Sequence, residues 1–397
     1  MNAPGWRFAV ALAAIGFVGP LSIHLFLPVM PEVKRVFATS SAVVGAAFSI
    51  TLFVMAIATL AYGTLSDRYG RRPVLLAGLM LFTVGGVLTA TAGSVAWLMV
   101  GRVVQALGAG SGAALSRAIA FDAYGAEKLV KVLAYLTMSY TIAPMLAPFI
   151  GGLLIDQFGW RSVFGFAVAS GIAITALVWT SLYETHPPQA APASALTMLR
   201  GFGTLIAIPR FTAFVVQTGA STAAFMAMAT ASSFLMQDYL QRPATEFGLY
   251  FMLFPVGFFL GTVIASRLSR RVPIETMVLV GSLLTATAVT VQASLILTGH
   301  LSPLAIFLPG AFLTFAQGLA LPNAQSGAMQ VVPKLAGTAA GLGVFFQMFL
   351  GAVGAQLYAI LADGTPIPML IAVGSATVLM VIAGATPYIL KRRAQHA

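Results

Sequence analysis

Cysteine is absent from this 397-residue chain, and charge is scarce. Without a thiol there is no disulfide, no thiolate metal ligand and no cysteine nucleophile. Charged residues make up 8% of the sequence, where a soluble domain carries about 25%. Only four histidines and ten acids are present, so an enzyme site built from clustered titratable groups has little to draw on. A glycine-rich GxxxxGK[ST] loop is also missing, which leaves an ATP-driven pump without support.

What fills the chain instead is apolar. Hydrophobic residues reach 59% and the mean hydropathy is +0.94. Apolar windows of about 20 residues recur from end to end, the length a helix needs to cross a bilayer. The first of them is too long for a signal-peptide core and lacks a small-residue cleavage site, so it reads as a helix. A net charge of +11 would suggest nucleic acid in a soluble protein. Here it follows from the bias of basic residues toward cytoplasmic loops. Neither nucleic acid nor a cofactor is expected, and the chain is expected to act as a monomer.

Apolar runs between charges and Gly/Pro breaks predict twelve spans: 8–30, 42–64, 73–94, 96–118, 132–155, 162–183, 209–236, 247–267, 275–298, 303–327, 338–362 and 367–389. With the N-terminus inside, the cytoplasmic segments hold sixteen basic residues, among them Arg7, Arg68, Arg71, Arg72, Arg117, Lys128, Lys131, Arg200, Arg210, Arg267, Arg270, Arg271, Lys334 and Lys391. The other side keeps Lys34, Arg35, Arg161 and Arg242. Both termini are therefore expected in the cytoplasm. The segment "ETHPPQAAPASALTML" falls between spans 6 and 7; its proline and alanine content suits a stiff linker that does not cross the membrane. It separates residues 1–185 from 209–397, with 186–208 as a cytoplasmic linker. The halves echo each other: "GTLSDRYGRRPV" after span 2 has a counterpart, "ASRLSRRVPI", after span 8, in which Ser266 replaces Asp67. The expected fold is all-α, an integral membrane protein of twelve transmembrane helices in two six-helix bundles, an architecture used by transporters.

Several stretches then resemble one family in its expected order. "GTLSDRYGRR" (63–72) is similar to the loop 2–3 signature of the major facilitator superfamily, "GRVVQALGAG" (101–110) to its fourth-helix motif, and "APMLAPFIGG" (143–152) to its fifth-helix antiporter motif. "FGWRSVF" (158–164), "LPNAQSGAM" (321–329) and "AGTAAGLGVFFQ" (336–347) resemble the Bcr/CflA drug-efflux group. The resemblance covers the whole chain. It implies export of small amphipathic compounds by alternating access in a bacterial inner membrane, coupled to proton influx.

In the loop motif, Asp67 and Arg71 are close enough in sequence for charge-assisted hydrogen bonds. The resemblance implies that Asp122 completes this latch. Gly63 is expected to let helix backbones approach and Gly70 to permit a tight turn. Arg68 and Arg72 belong to the motif, yet they fit a purely topological role equally well. Pro144 and Pro148 allow bends in span 5, and Gly151 and Gly152 offer a smooth packing face.

Arg102 is the one Lys or Arg placed inside a span, and an intramembrane charge marks function by default. It fits coupling or substrate contact; a structural arginine bonded to backbone carbonyls of another helix is the alternative. Gln105, one turn on, can share its network. All ten carboxylates fall in loops or at span ends. Relatives of this type carry an acid in helix 1 just before an aromatic–Leu–Pro run, where this chain reads "SIHLFLP". His24 takes that position. Histidine can carry a proton near neutral pH, although it alternates between neutral and positive where a carboxylate alternates between negative and neutral. A neutral imidazole bonded between helices is the plainer reading. A cavity holding His24 and Arg102 without an acid suits neutral, zwitterionic or anionic compounds better than cations.

The substrate cavity is expected to draw on Phe26, Phe53, Tyr140, Gln217, Phe251, Phe254, Gln317, Asn323, Phe346 and Gln347, with Met55, Met138 and Met226 as adaptable apolar contacts. The rival to proton-coupled efflux keeps the fold and drops the coupling: a facilitator or dedicated exporter of one anionic or neutral metabolite, held by Arg102.

Overall fold

Proline and glycine, more than hydrophobicity, decide where the helices of this chain begin and end. The computed structural model describes residues 6–186, 195–269 and 271–396, and within them the side chains of all but 125–141, 195–200, 336 and 394–396. The described backbone is helical: α1 (Trp6–His24), α2 (Met30–Val36), α3 (Ser41–Tyr69), α4 (Arg71–Ala90), α5 (Val95–Phe158), α6 (Trp160–Ser181), α7 (Ala195–Ile206), α8 (Pro209–Phe234), α9 (Ala244–Phe251), α10 (Leu253–Leu268), α11 (Ile274–Leu297), α12 (Pro303–Val331), α13 (Ala336–Leu361) and α14 (Ile367–His396). Among the described residues, eleven segments are long and apolar enough to cross a membrane. Ile142–Phe158, a shorter apolar stretch of α5, stands where the fifth predicted span lies.

Three boundaries differ from the sequence expectation. The first span, predicted over 8–30, stops at His24; Pro28 has no N–H to extend the helix. The chain turns instead through bonds from Val29 N to Phe26 O (3.0 Å) and Met30 N to Leu27 O (3.3 Å) before α2 begins. The eighth span divides at Met252 into α9 and α10, three residues before Pro255. The segment 186–208, expected as a linker, contains the helix α7, whose Phe202 and Leu205 pack with Phe211, Phe214, Val278 and Leu342.

Contacts divide the chain into two units, Met1–Thr39 with Ile50–Ala193, and Ser40–Ser49 with Ser194–Ala397. In the first, α5 packs against α1 and α4, and α4 against α6. Glycine sets the α4–α5 distance: a β-carbon at Gly85 would collide with the backbone nitrogen of Gln105, and one at Gly108 with that of Phe82. In the second unit α8 is buried nearly all round, against α12, α13 and α14. Its Ala, Ser, Thr and Gly residues keep the backbone close to its neighbours, as at Gly354, where a β-carbon would strike Ala223 O.

Gly63 stands in a different setting from these packed glycines. A β-carbon there meets no described atom within 4 Å. The contrast gives a test by thermal unfolding in detergent. Gly108→Val forces α4 and α5 apart and should cost about 3 kcal/mol, the upper range for overpacking. Gly63→Ala should leave the unfolding temperature unchanged or slightly raised.

Candidate functional site

Two charge clusters stand on the first unit, about 30 Å apart along α5 at 1.5 Å per residue. The first is built where α1 ends. Arg102, 1% exposed, reaches across from α5: its Nη2 donates to Ser22 O (2.9 Å) and its Nη1 to Gln105 Oε1 (2.6 Å). Its guanidinium carbon lies 4.5 Å from the centroid of the Phe26 ring. The Nε is buried without a hydrogen-bond partner among the described residues. No described carboxylate pairs with this arginine.

An isolated buried cation is costly, so something must stand in for an anion. The last turn of α1 does. The carbonyls at a helix C-terminus lack helical donors and together carry about half a negative charge. Pro28 ends the helix, and Arg102 binds one of its last carbonyls. The bland alternative for Arg102, carbonyl bonding across helices, is thus part of the arrangement. His24 belongs to the same turn and is 6% exposed. Its Nδ1 lies 2.9 Å from Pro20 O. A carbonyl only accepts, so Nδ1 holds the hydrogen and Nε2 is the atom that takes a further proton. This bond lies within α1.

The second cluster joins four helices at their basic ends. Arg71 opens α4 and its Nη1 pairs with Asp67 Oδ1 (2.6 Å), at the end of α3, while its Nε donates to Asp122 Oδ2 (3.0 Å) on α5. Ser66 Oγ accepts from the same guanidinium. Glu184, just past α6, supplies what the motif did not announce. Its Oε1 accepts from Arg71 N (2.9 Å) and its Oε2 from Arg72 N (3.1 Å), capping α4 from a distant part of the chain. Gly70 makes the approach possible: φ is +93°, and a β-carbon would stand 2.6 Å from Glu184 Oε2. Arg72 donates to Trp179 O (2.9 Å) and lies over its ring, and Arg68 lies over Tyr69.

The fifth-helix motif meets the first cluster from the other side. A β-carbon at Gly151 would come within 2.9 Å of Pro28, so α5 rests on the turn that ends α1. Gly152 is buried beside it, and Pro144 and Pro148 lie within α5.

The residues expected to line a cavity are divided between the two units. Phe26 is buried against Arg102 and Phe164, and Phe53 is exposed on α3. Phe251 and Phe254 join Phe225, Phe247 and Phe307 in an aromatic core of the second unit. Gln217 donates to Ser282 Oγ (3.3 Å), Gln317 to Ser221 O (2.7 Å), and Asn323 to Leu319 O within its own helix. Gln347 accepts from Gln325, and Phe346 is half-buried. Met55 and Met226 are buried. Tyr140, Met138, Lys128, Lys131, Arg200 and Arg270 lie outside the described side chains. Among the described residues no three His, Cys, Asp or Glu side chains gather as a metal site.

Sequence reasoning missed Glu184, Ser22 and Glu275. Glu184 could have been suspected as the one acid opening the seam. The Ser22 carbonyl leaves no trace in side-chain chemistry. Glu275, two residues into α11, accepts from Arg210 and Lys391, and its position inside the first turn of a span was the available signal.

Residues 12–355 match the family model described as Major Facilitator Superfamily. The chain is 27% identical over 383 residues to the bicyclomycin resistance protein homolog of Haemophilus influenzae, covering 95% of this chain and 94% of that one. It is 28% identical over 328 residues to multidrug resistance protein D of Escherichia coli, covering 82% and 81%. A crystal structure of a bacterial homolog of the human lysosomal transporter Spinster superposes with a TM-score of 0.79 at 17% identity, over 98% of each chain.

Removing Arg71 leaves Asp122, whose side chain is 15% exposed, without its cation. Arg71→Ala should destabilise the protein by about 3 kcal/mol, the lower range for breaking a buried pair. Glu184→Gln, which keeps an amide oxygen for capping, should cost about 1 kcal/mol. Equal losses in thermal unfolding would refute the central place given to Arg71.

Proposed function

The chain belongs to the Major Facilitator Superfamily, and from that premise we propose that it exports small amphipathic compounds by alternating access, driven by proton influx. The relatives named for bicyclomycin and multidrug resistance support efflux, and their bacterial sources support a place in the bacterial inner membrane. The excess of Lys and Arg at one set of helix ends supports cytoplasmic termini. In this reading residues 1–185 and 209–397 are the moving halves of a monomer, joined by 186–208, and the Asp67–Arg71–Asp122 cluster stabilises the outward-facing state.

One observation carries the coupling: His24 and Arg102 both use the last turn of α1, in a buried site where no described carboxylate pairs with Arg102. The end of a helix offers about half a charge, and Arg102 already draws on it. A proton on His24 Nε2 adds a second cation to the same turn in a low dielectric. The conflict is relieved when the site opens to water or when His24 gives up its proton. Proton occupancy and closure of the site therefore oppose each other, which is the requirement for coupling. The missing acid favours neutral, zwitterionic or anionic substrates.

The unpartnered Nε of Arg102 also supports the second reading, a carrier of one anionic metabolite that binds at this guanidinium without proton coupling. One experiment separates them. Purified protein in proteoliposomes is given a panel of neutral, cationic and anionic compounds with and without an imposed pH gradient. One pH unit is worth about 1.4 kcal/mol per proton, roughly tenfold in accumulation. We expect that accumulation for the first reading, and we expect His24→Gln to lose it while retaining exchange of substrate down its own gradient. Accumulation that His24→Gln leaves unchanged would sink the assignment to His24. Transport of a single anion, insensitive to the gradient, selects the second reading.

A further inference from the structure

The two units differ in charge in a way that membrane topology does not require. At the basic end of the first unit, Arg7, Arg68, Arg71, Arg72 and Arg117 stand with Asp67, Asp122 and Glu184. In the second unit the starts of α8 and α11 and the ends of α10 and α14 bring Arg210, Arg267, Arg271, Lys391, Arg392 and Arg393 to the same kind of end. Glu275 is the one acid there; Asp238, Glu246 and Asp363 belong to the opposite helix ends. The preference of basic residues for one side of a membrane explains where these cations are. It does not explain why Asp67, Asp122 and Glu184 answer them in the first unit while Glu275 alone does so in the second.

Glu275 arranges what charge it can. Its side chain is 3% exposed, with Arg210 Nη2 at 2.5 Å from Oε1 and Lys391 Nζ at 2.9 Å from Oε2. One carboxylate thus holds two cations at the meeting of α8, α11 and α14, and both remain open to the outside, Arg210 at 47% and Lys391 at 41%. Arg271, Arg392 and Arg393 are exposed and enter no described ion pair, although Arg392 lies over the Tyr388 ring at 5.0 Å. Leu268 and Ile389, exposed apolar side chains of the same helix ends, flank them. Cations in excess, bordered by apolar surface at the ends of membrane-crossing helices, complement a ligand with a phosphate and acyl chains.

We propose that the basic end of the second unit binds the phosphate of an anionic phospholipid. Arg210 and Lys391, fixed by Glu275, present one side of the site, and Arg271, Arg392 and Arg393 present the rest. The lipid supplies the negative charge that the first unit takes from its own carboxylates. The inference rests on the membrane reading and not on proton coupling, so either can fail without the other.

The test is lipid binding to the purified full chain in neutral detergent, counted by native mass spectrometry with phosphatidylglycerol and phosphatidylcholine as probes. Phosphatidylglycerol should be retained preferentially. The triple variant Arg271→Gln, Arg392→Gln, Arg393→Gln should bind it about a hundredfold more weakly, at roughly fivefold per surface cation. Should that variant fail to fold, raising the ionic strength around the unmodified protein from about 0.05 M to about 0.5 M should release the lipid by screening. Equal retention of the two lipids, a variant that binds as tightly, or binding that survives salt overturns the proposal. Displacement by millimolar inorganic phosphate also overturns it, by marking a site for a free anion.

Discussion

Every strongly buried charge among the described side chains is held at a helix end, and the rest of the arrangement follows from that. A hydrocarbon surrounding offers no water to a guanidinium or a carboxylate, so the protein must supply the opposing charge itself. Arg102 takes it from the closing turn of α1, Arg71 stands between the end of α3 and the start of α4, and Glu275 lies in the opening turn of α11. Helix ends are where backbone groups lack partners, and they carry the partial charges that make such sites tolerable.

Close packing makes those positions reachable. Arg102 meets Ser22 because α5 lies against α1, and α5 in turn is drawn onto α4 by contacts only glycine permits, at Gly85 and Gly108. Glu184 can cap α4 because Gly70 has no β-carbon to block it. In each case the absence of a side chain brings a charged group within bonding distance of a backbone. The glycines and the charges act as one system.

How much of the site was legible depended on which atoms do the work. Arg71, Asp67 and Asp122 stood out because side chains pair with side chains, and the motif spacing resembles a family pattern. His24 and Arg102 stood out because titratable groups are rare in the spans. Their common turn was not legible, since it depends on the carbonyls of Pro20 and Ser22, and every residue type has a carbonyl. The aromatic residues of the second half were the least legible. Phe251 and Phe254 satisfy the description of a cavity wall and of a packed core equally well, and they form an aromatic core with Phe307. Apolar patterning records that a side chain avoids water, not what it faces.

By itself the sequence determined the membrane as solvent, the sites of the crossing helices, the two-half organisation of the motifs and the near absence of acid inside the spans. Those properties depend on composition and on local rules for Lys, Arg, Gly and Pro, which act within a few residues. Only the tertiary structure decided that the last carbonyls of α1 face Arg102, that Glu184 caps a helix more than a hundred positions earlier, and that Glu275 gathers Arg210 and Lys391. These are meetings of groups far apart in the chain. Their geometry is set by how closely helices can approach, which no single stretch of sequence contains.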